Sequence, residues 1–406
     1  MKIIDGSIPL LYQAHEGPFT SIRFLVNAGS EDEAAGDYGT AHFLEHMFFK
    51  GTERRGYKEV NLLTARLGNI NASTGMGRTD FYINCLNGDF DEAFALLREM
   101  VFEPSLPQDE LEKEIGVIVE EMKTRNASPS TFFWDRVFES LLDDDRWHST
   151  AGTEDSVRSM TRDRINDFRH RCYRPAYLAV SIVGGVAPVA AMKAIKSMPF
   201  ITPNDRDREP LALSLRPLDF HHSSKQAIVG MVTPSVTLAR EFALGNLPDV
   251  FANGFGQGMH SLLFDRLREE LGLCYSVHAW ACAYKDLGVF LLQSMLDQAN
   301  IDQALGECRA LMARVCDQGF PDELLRVAKR NYLFGSMKRF ETAGGIGSMA
   351  GMFFDVSPEE FVEFFDIEER QRSVEALTNA DVIEFARLLF ADPDKIKTLT
   401  MTPEAA

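Results

Sequence analysis

His42 and His46 stand four residues apart, with Glu45 directly before the second, inside the run Gly39-Thr40-Ala41-His42-Phe43-Leu44-Glu45-His46-Met47-Phe48-Phe49-Lys50-Gly51-Thr52. The flanking residues are apolar and good helix formers, so the run predicts a helix that ends near Gly51. Positions four apart share a helix face. Two imidazoles placed one turn apart can each give a ring nitrogen to one zinc ion. Glu45 projects from nearly the same side, where a carboxylate can take a proton from metal-activated water without being a ligand itself.

The order His-x-x-Glu-His inverts the common His-Glu-x-x-His zinc pattern and is a peptidase signature in its own right. A metal site of this kind needs a third ligand. The acid-rich stretch from Asp109 to about Arg125 predicts a long helix with an apolar stripe of Leu111, Ile115, Ile118 and Met122. Glu114 and Glu121 lie seven apart, two turns, and so share a face beside that stripe. A carboxylate from this helix would complete a site of three protein ligands with the fourth position open to water, the catalytic arrangement.

These residues sit in a chain of 406 residues, too long for one ordinary core, so two or more domains are expected. Hydrophobic residues make 45% and charged residues 25%, the range of globular proteins. The formal net charge of −18 argues against a nucleic-acid partner, which needs a basic surface. No apolar run is long enough to cross a membrane. The N-terminus, Met1-Lys2-Ile3-Ile4-Asp5-Gly6, lacks the pattern of a secretory signal, and a cytoplasmic location is expected. The six cysteines form no Cys-x-x-Cys pair and read as scattered, reduced thiols.

Taken in order, residues 8 to 28 read as two strands joined by a turn around His15-Glu16-Gly17-Pro18. After the metal helix come a helix over Tyr57 to Leu67, a hairpin over Asn69 to Leu86, and helices over Phe90 to Phe102, 109 to 125, 130 to 142 and 162 to 172. Asp143-Asp144-Asp145 reads as an acidic loop, 177 to 183 as a buried strand and 187 to 198 as a helix. The polar stretch Pro199 to Pro210, with three prolines, reads as an interdomain linker. The second half then echoes the first. It has a strand at 226 to 232, a helix at 251 to 271 where the metal helix would fall, a strand at 289 to 295, a helix at 301 to 316 and a terminal strand at 395 to 401. The expected fold is therefore α+β. It has two duplicated domains, 1–200 and 211–406, each a mainly antiparallel sheet packed with helices. His260 is the only histidine near the second-half counterpart of the metal helix, so no metal is expected there. The glycine-rich Ala343-Gly344-Gly345-Ile346-Gly347-Ser348 reads as a flexible turn between helices.

Together these residues resemble the pitrilysin-type inverzincin peptidases, which include mitochondrial processing peptidase, insulin-degrading enzyme and bacterial two-domain relatives. The resemblance spans the whole chain and implies half of a clamshell, closed by a second chain around a chamber that admits peptides and unfolded segments. A homodimer is implied, with a heterodimer formed with a related chain as the alternative. The resemblance implies one zinc ion per chain, bound by His42, His46 and Glu121. Glu120 is adjacent. Glu121 is preferred because it immediately precedes the large apolar Met122 and follows Glu114 by seven. Glu114 would orient His46 or a nearby ligand, and Glu45 would be the general base. Asn71-Ala72-Ser73-Thr74 looks like the family's edge strand, to which a peptide substrate adds by main-chain hydrogen bonds. Arg268 and Tyr275, in Leu267-Arg268-Glu269-Glu270-Leu271-Gly272-Leu273-Cys274-Tyr275, resemble the pair that holds the substrate carbonyl and its oxyanion. Gly77-Arg78-Thr79-Asp80-Phe81-Tyr82 departs from the family pattern at Asp80 and Phe81, which leaves substrate preference open. The implied activity is that of a zinc endopeptidase, the alternative being a leader-peptide processing protease or one subunit of a heterodimeric peptidase.

Overall fold

The computed structural model describes residues 1–4, 6, 8–141, 148–198, 218–284 and 287–403. The expected linker at 199–210 and the acidic loop at 143–145 lie outside the described residues. Two compact units divide what is described. The first takes residues 1–124, 148–198 and 338–365, and the second takes 125–141, 218–337 and 366–403.

The first unit holds a six-stranded sheet of β1 (Lys2–Ile4), β2 (Leu10–Ala14), β3 (Phe19–Val26), β4 (Gly68–Thr74), β5 (Thr79–Leu86) and β6 (Leu178–Gly184), in the order β1-β2-β6-β3-β5-β4. Only β2 and β6 run parallel; every other pair is antiparallel. The strands at 10–14 and 19–26 are joined in sequence but are not partners, because β6 enters between them. One face carries α1 (Thr40–Phe48), α2 (Tyr57–Leu67) and α3 (Phe90–Phe102) over a core that includes Ile22, Phe24, Phe81 and Ile83. Burial of such alternate strand residues is what fixes the register, since a slip of one residue would turn them outward.

The second unit holds β7 (Leu218–His222), β8 (Ala227–Ser235), β9 (Cys274–Tyr284), β10 (Leu287–Leu296) and β11 (Lys397–Pro403), in the order β7-β11-β8-β10-β9. The last strand of the unit again enters the middle, parallel to one neighbour and antiparallel to the other. Strand for strand this is β2-β6-β3-β5-β4 repeated, so the duplication read in the sequence is a duplication of topology.

Three expectations are corrected. The units are not contiguous halves. Residues 338–365 belong to the first, because Ala343, Ile346, Ala350, Phe361 and Phe365 bury themselves on Leu11, Leu25, Ala179 and Val183, the sheet face away from α1. Residues 125–141 belong to the second, where Phe133 packs on Phe220 with ring centroids 5.9 Å apart. The glycine-rich run is not a loose turn. It forms the helix Ala343–Ser348, capped by the Thr342 side chain, with Ile346 and Gly347 buried. Finally, the single helix expected over 251 to 271 is broken. Leu247–Gly256 is α-helical and Phe264–Glu270 winds as a π-helix, with Gly258 between them at φ 79°, a conformation that ends a right-handed helix.

Candidate metal centre

Helix α1 is pinned by its inner face. Phe43, Leu44, Met47 and Phe48 are fully buried, and Phe48 meets Phe81 of β5 edge-on at 5.0 Å. Burying side chains of this size stabilises by about 1.5–3 kcal/mol each. The helix therefore cannot roll, and His42, Glu45 and His46 are held together on the side that meets α4 (Gln108–Ala127). The two imidazoles lie with centroids 4.6 Å apart.

Helix α4 brings two carboxylates to them. Glu121 Oε1 is 3.7 Å from His42 Nε2, and Glu121 Oε2 is 3.4 Å from His46 Nε2. One nitrogen or oxygen from each of His42, His46 and Glu121 falls within 4.8 Å of the others. Glu120, one residue away, turns outward and pairs with Lys123 at 2.6 Å. One hundred degrees of helical rotation thus separates a cluster member from a solvated ion pair. Two turns earlier, Glu114 is buried and sets its Oε1 2.9 Å from His46 Nδ1, while Lys50 Nζ lies 2.6 Å from its Oε2. Burial pushes the Glu114 carboxyl up, but hydrogen bonds from His46 and Lys50 outweigh it and hold the group below the usual range. With Nδ1 donating to Glu114, His46 is left with Nε2 as its free ligand atom.

Glu45 is buried, and burial pushes its carboxyl up; the hydrogen bond from the Thr74 hydroxyl pulls the other way. Thr74 is the last residue of β4, the edge of the first sheet, so the Glu45 carboxyl and that edge are in direct contact. Along β4 the Gly75 N–H donates to Arg78 O at 2.8 Å, which places Ala72 in a pair that does not exchange hydrogen bonds with β5. The Ala72 N–H points to the free edge instead, where Asn71 Oδ1 accepts it at 2.9 Å. Asn71 and Ser73 are exposed. Arg268 and Tyr275 belong to the second unit and meet each other there. The Arg268 guanidinium lies 4.9 Å from the exposed Tyr275 ring and 4.7 Å from Phe264.

Sequence reasoning had no way to find Thr74 as the partner of Glu45 or Lys50 as the partner of Glu114, because both contacts join distant positions. Glu33, in the acidic stretch Gly29-Ser30-Glu31-Asp32-Glu33 before α1, has no spacing that singles it out. Among the described residues no helix is long and apolar enough to cross a membrane.

Comparison with known proteins identifies the family. The family model described as insulinase, peptidase family M16, matches residues 10–152, and that described as the peptidase M16 inactive domain matches residues 159–332. The chain belongs to the pitrilysin-type M16 peptidase family. It is 26% identical over 401 residues to a protein named as an uncharacterized zinc protease of Rickettsia bellii, covering 96% of this chain and 94% of that one. It is 25% identical to a protein of Bacillus subtilis that is also named as an uncharacterized zinc protease, over 82% of this chain and 81% of the relative. In fold it is similar to a protease from Helicobacter pylori, with a TM-score of 0.85 at 20% identity over 99% of this chain and 98% of that one.

Proposed function

We propose that this chain is a zinc-dependent endopeptidase that hydrolyses peptides or unfolded protein segments. The observation that carries the reading is the convergence of His42, His46 and Glu121. Tetrahedral zinc with bonds of about 2.0–2.2 Å needs ligand atoms about 3.3–3.6 Å apart. The contacts of 3.4 and 3.7 Å from the two Glu121 oxygens to the imidazoles lie close to that separation, and one donor atom from each of the three residues falls within 4.8 Å of the others, so small side-chain shifts would complete the set. Two imidazoles and one carboxylate also form a donor set that leaves a fourth position for water. The relatives named as zinc proteases support the choice of metal. These three side chains would hold one zinc ion per chain, which when bound would supply Lewis-acid chemistry that acidifies water and polarises a carbonyl.

The chain's own residues do the rest. Glu45, with its basicity raised by burial, takes a proton from the attacking water and returns it to the departing amine nitrogen. Glu114 holds His46 in the tautomer that presents Nε2. The free edge at Asn71, Ala72 and Ser73 receives the substrate as an added strand, whose main chain replaces the Asn71 side chain on the Ala72 N–H. Arg268 and Tyr275 supply donors for the substrate carbonyl.

The test is cleavage of a quenched fluorescent peptide by wild type, by Glu45→Gln and by chelator-treated protein. Cleavage by wild type alone, restored to the treated sample by zinc, is the expected result. A Glu45→Gln variant as active as wild type refutes the role given to Glu45, and wild type that binds no zinc refutes the reading as a whole.

A further inference from the structure

The metal-bearing helix begins at a residue that cannot cap it. The N-cap of α1 is Gly39, at φ 89°, with no side chain to accept the first backbone N–H groups. Nor can another residue stand there, because a Cβ on Gly39 would lie 2.6 Å from the Ala151 carbonyl oxygen. The orphan donors are met from elsewhere. Glu33 Oε2 accepts the Gly39 N–H and Glu33 Oε1 accepts the Ala41 N–H, each at 2.7 Å. The Glu33 side chain is fully removed from solvent, with His148 Nε2 3.4 Å from Oε2 and the His148 ring against Tyr38. A carboxyl group this deep, spent on two backbone donors one residue either side of Thr40, the first helical residue, is far more than an exposed loop acid needs.

The loop that carries Glu33 is tied at its other end to the hairpin that follows the edge strand. The Ser30 N–H donates to Gly75 O at 3.2 Å and the Glu31 N–H to Met76 O at 3.0 Å. A Cβ on Gly29 would lie 2.2 Å from Gly75 O, so the two backbones touch. Thr74, next to Gly75, bonds Glu45. The segment 29–33 thus closes a ring from β4, through the turn, to the start of α1 and back across Glu45.

We propose that Glu33 is a positioning residue, which caps the metal helix in place of its glycine N-cap and sets His42 and Glu45 in register with the edge strand. The inference rests on the proposed peptidase reading, and its test reads zinc affinity separately from cleavage. Replacement by alanine leaves two buried N–H groups unpaired and frees the first turn of α1. Glutamine keeps the volume and one acceptor oxygen.

In the full chain loaded with zinc, Glu33→Ala is expected to lower kcat about 10–100-fold and to weaken zinc about tenfold, the range seen when groups that orient metal ligands are lost. KM should change less than about threefold, since the edge strand is intact. Glu33→Gln should fall between alanine and wild type on both scales. Thr378→Ala, which removes the cap of the helix Asn379–Phe390 in the other unit, is the control for stability alone. It should lower the melting temperature and leave kcat and zinc affinity unchanged. A folded Glu33→Ala or Glu33→Gln protein with wild-type kcat and zinc affinity overturns the proposal while leaving the peptidase reading standing. Wild type that neither binds zinc nor cleaves peptide overturns both.

Discussion

Removing the Glu114 carboxylate should cost metal affinity and fold stability by two separable routes. Its Oε1 holds His46 Nδ1 at 2.9 Å and its Oε2 meets Lys50 Nζ at 2.6 Å, while the Glu114 side chain is only 4% exposed. In Glu114→Ala, His46 loses the acceptor that fixes its tautomer, and zinc affinity should fall about 10–100-fold, or about 1.4–2.7 kcal/mol. The Lys50 ammonium, itself only 18% exposed, is left beside a void, and breaking a buried pair in this way costs about 3–5 kcal/mol of stability. Glu114→Gln separates the two routes. Its amide oxygen can still accept from His46 Nδ1, so zinc should weaken less than about tenfold, yet the charge opposite Lys50 is gone and most of the stability loss should remain. Zinc competition against a chromogenic chelator reads the first quantity, and urea unfolding of the zinc-free protein reads the second. Because the Glu114 carboxyl is held below its ordinary value of 4.5, its contribution is present above that pH and fades as the pH falls below it. The stability gap between wild type and Glu114→Gln should therefore close in acid. Zinc affinity of Glu114→Ala within twofold of wild type would show that the packing of α1 alone orients His46, and the reasoning would fail.

Burial pushes the Glu33 carboxyl up to about 8, so the folded protein holds a proton there that the unfolded chain gives up near 4.5. That stabilisation is complete below pH 4.5 and is lost as the pH rises through 8, a swing of at most about 4–5 kcal/mol. Urea unfolding of wild type from pH 6 to 9 should show the loss, and Glu33→Gln should show a much flatter profile. Gly39→Ala should destabilise by about 2–4 kcal/mol, through left-handed backbone strain and contact with the Ala151 carbonyl, with a parallel fall in zinc affinity. A peptide N-methylated at the residue that pairs with Ala72 should be cleaved at least about tenfold more slowly than its parent, while methylation one residue along should matter little. Equal rates for the two methylated peptides would refute docking at the β4 edge.

What the sequence made legible is whatever depends on periodicity within one element. His42, Glu45 and His46 are one helical turn and Glu114 and Glu121 are two turns, while the choice of Glu121 over Glu120 came from the family resemblance, with Met122 following and Glu114 seven before. Most of the strands were found for the same reason, as was the repeat of elements between the halves, but Leu218–His222 and Cys274–Tyr284 were not read as strands. The misses share a different cause. That residues 338–365 would cover the first sheet depends on a fit between Ile346 or Phe361 and a surface built from residues more than 150 positions away, and no local pattern encodes that fit. The strand at Lys2–Ile4 is too short to show a period. The break at Gly258 lies inside a stretch whose apolar spacing suits a helix throughout, and there backbone conformation overrode the pattern.

The same division runs through the metal centre itself. The groups proposed to hold zinc or to take the proton from water lie at fixed spacings along α1 and α4, because a ligand set must be rigid at short range. The groups that hold them follow no helical period: Thr74 on Glu45 and Lys50 with Glu114 join distant positions, and Glu33 reaches the first turn of α1 from the irregular segment before it. All three supporting contacts involve carboxyl groups whose burial would be costly without them. Glu33 and Glu114 are therefore stable in place only when the edge-strand turn and α4 are docked against α1. Folding of the first unit and assembly of the ligand set should then be one event, so a zinc-binding defect in any of these variants should appear together with looser packing of α1, and amide exchange at Phe43 and Leu44 should rise with it.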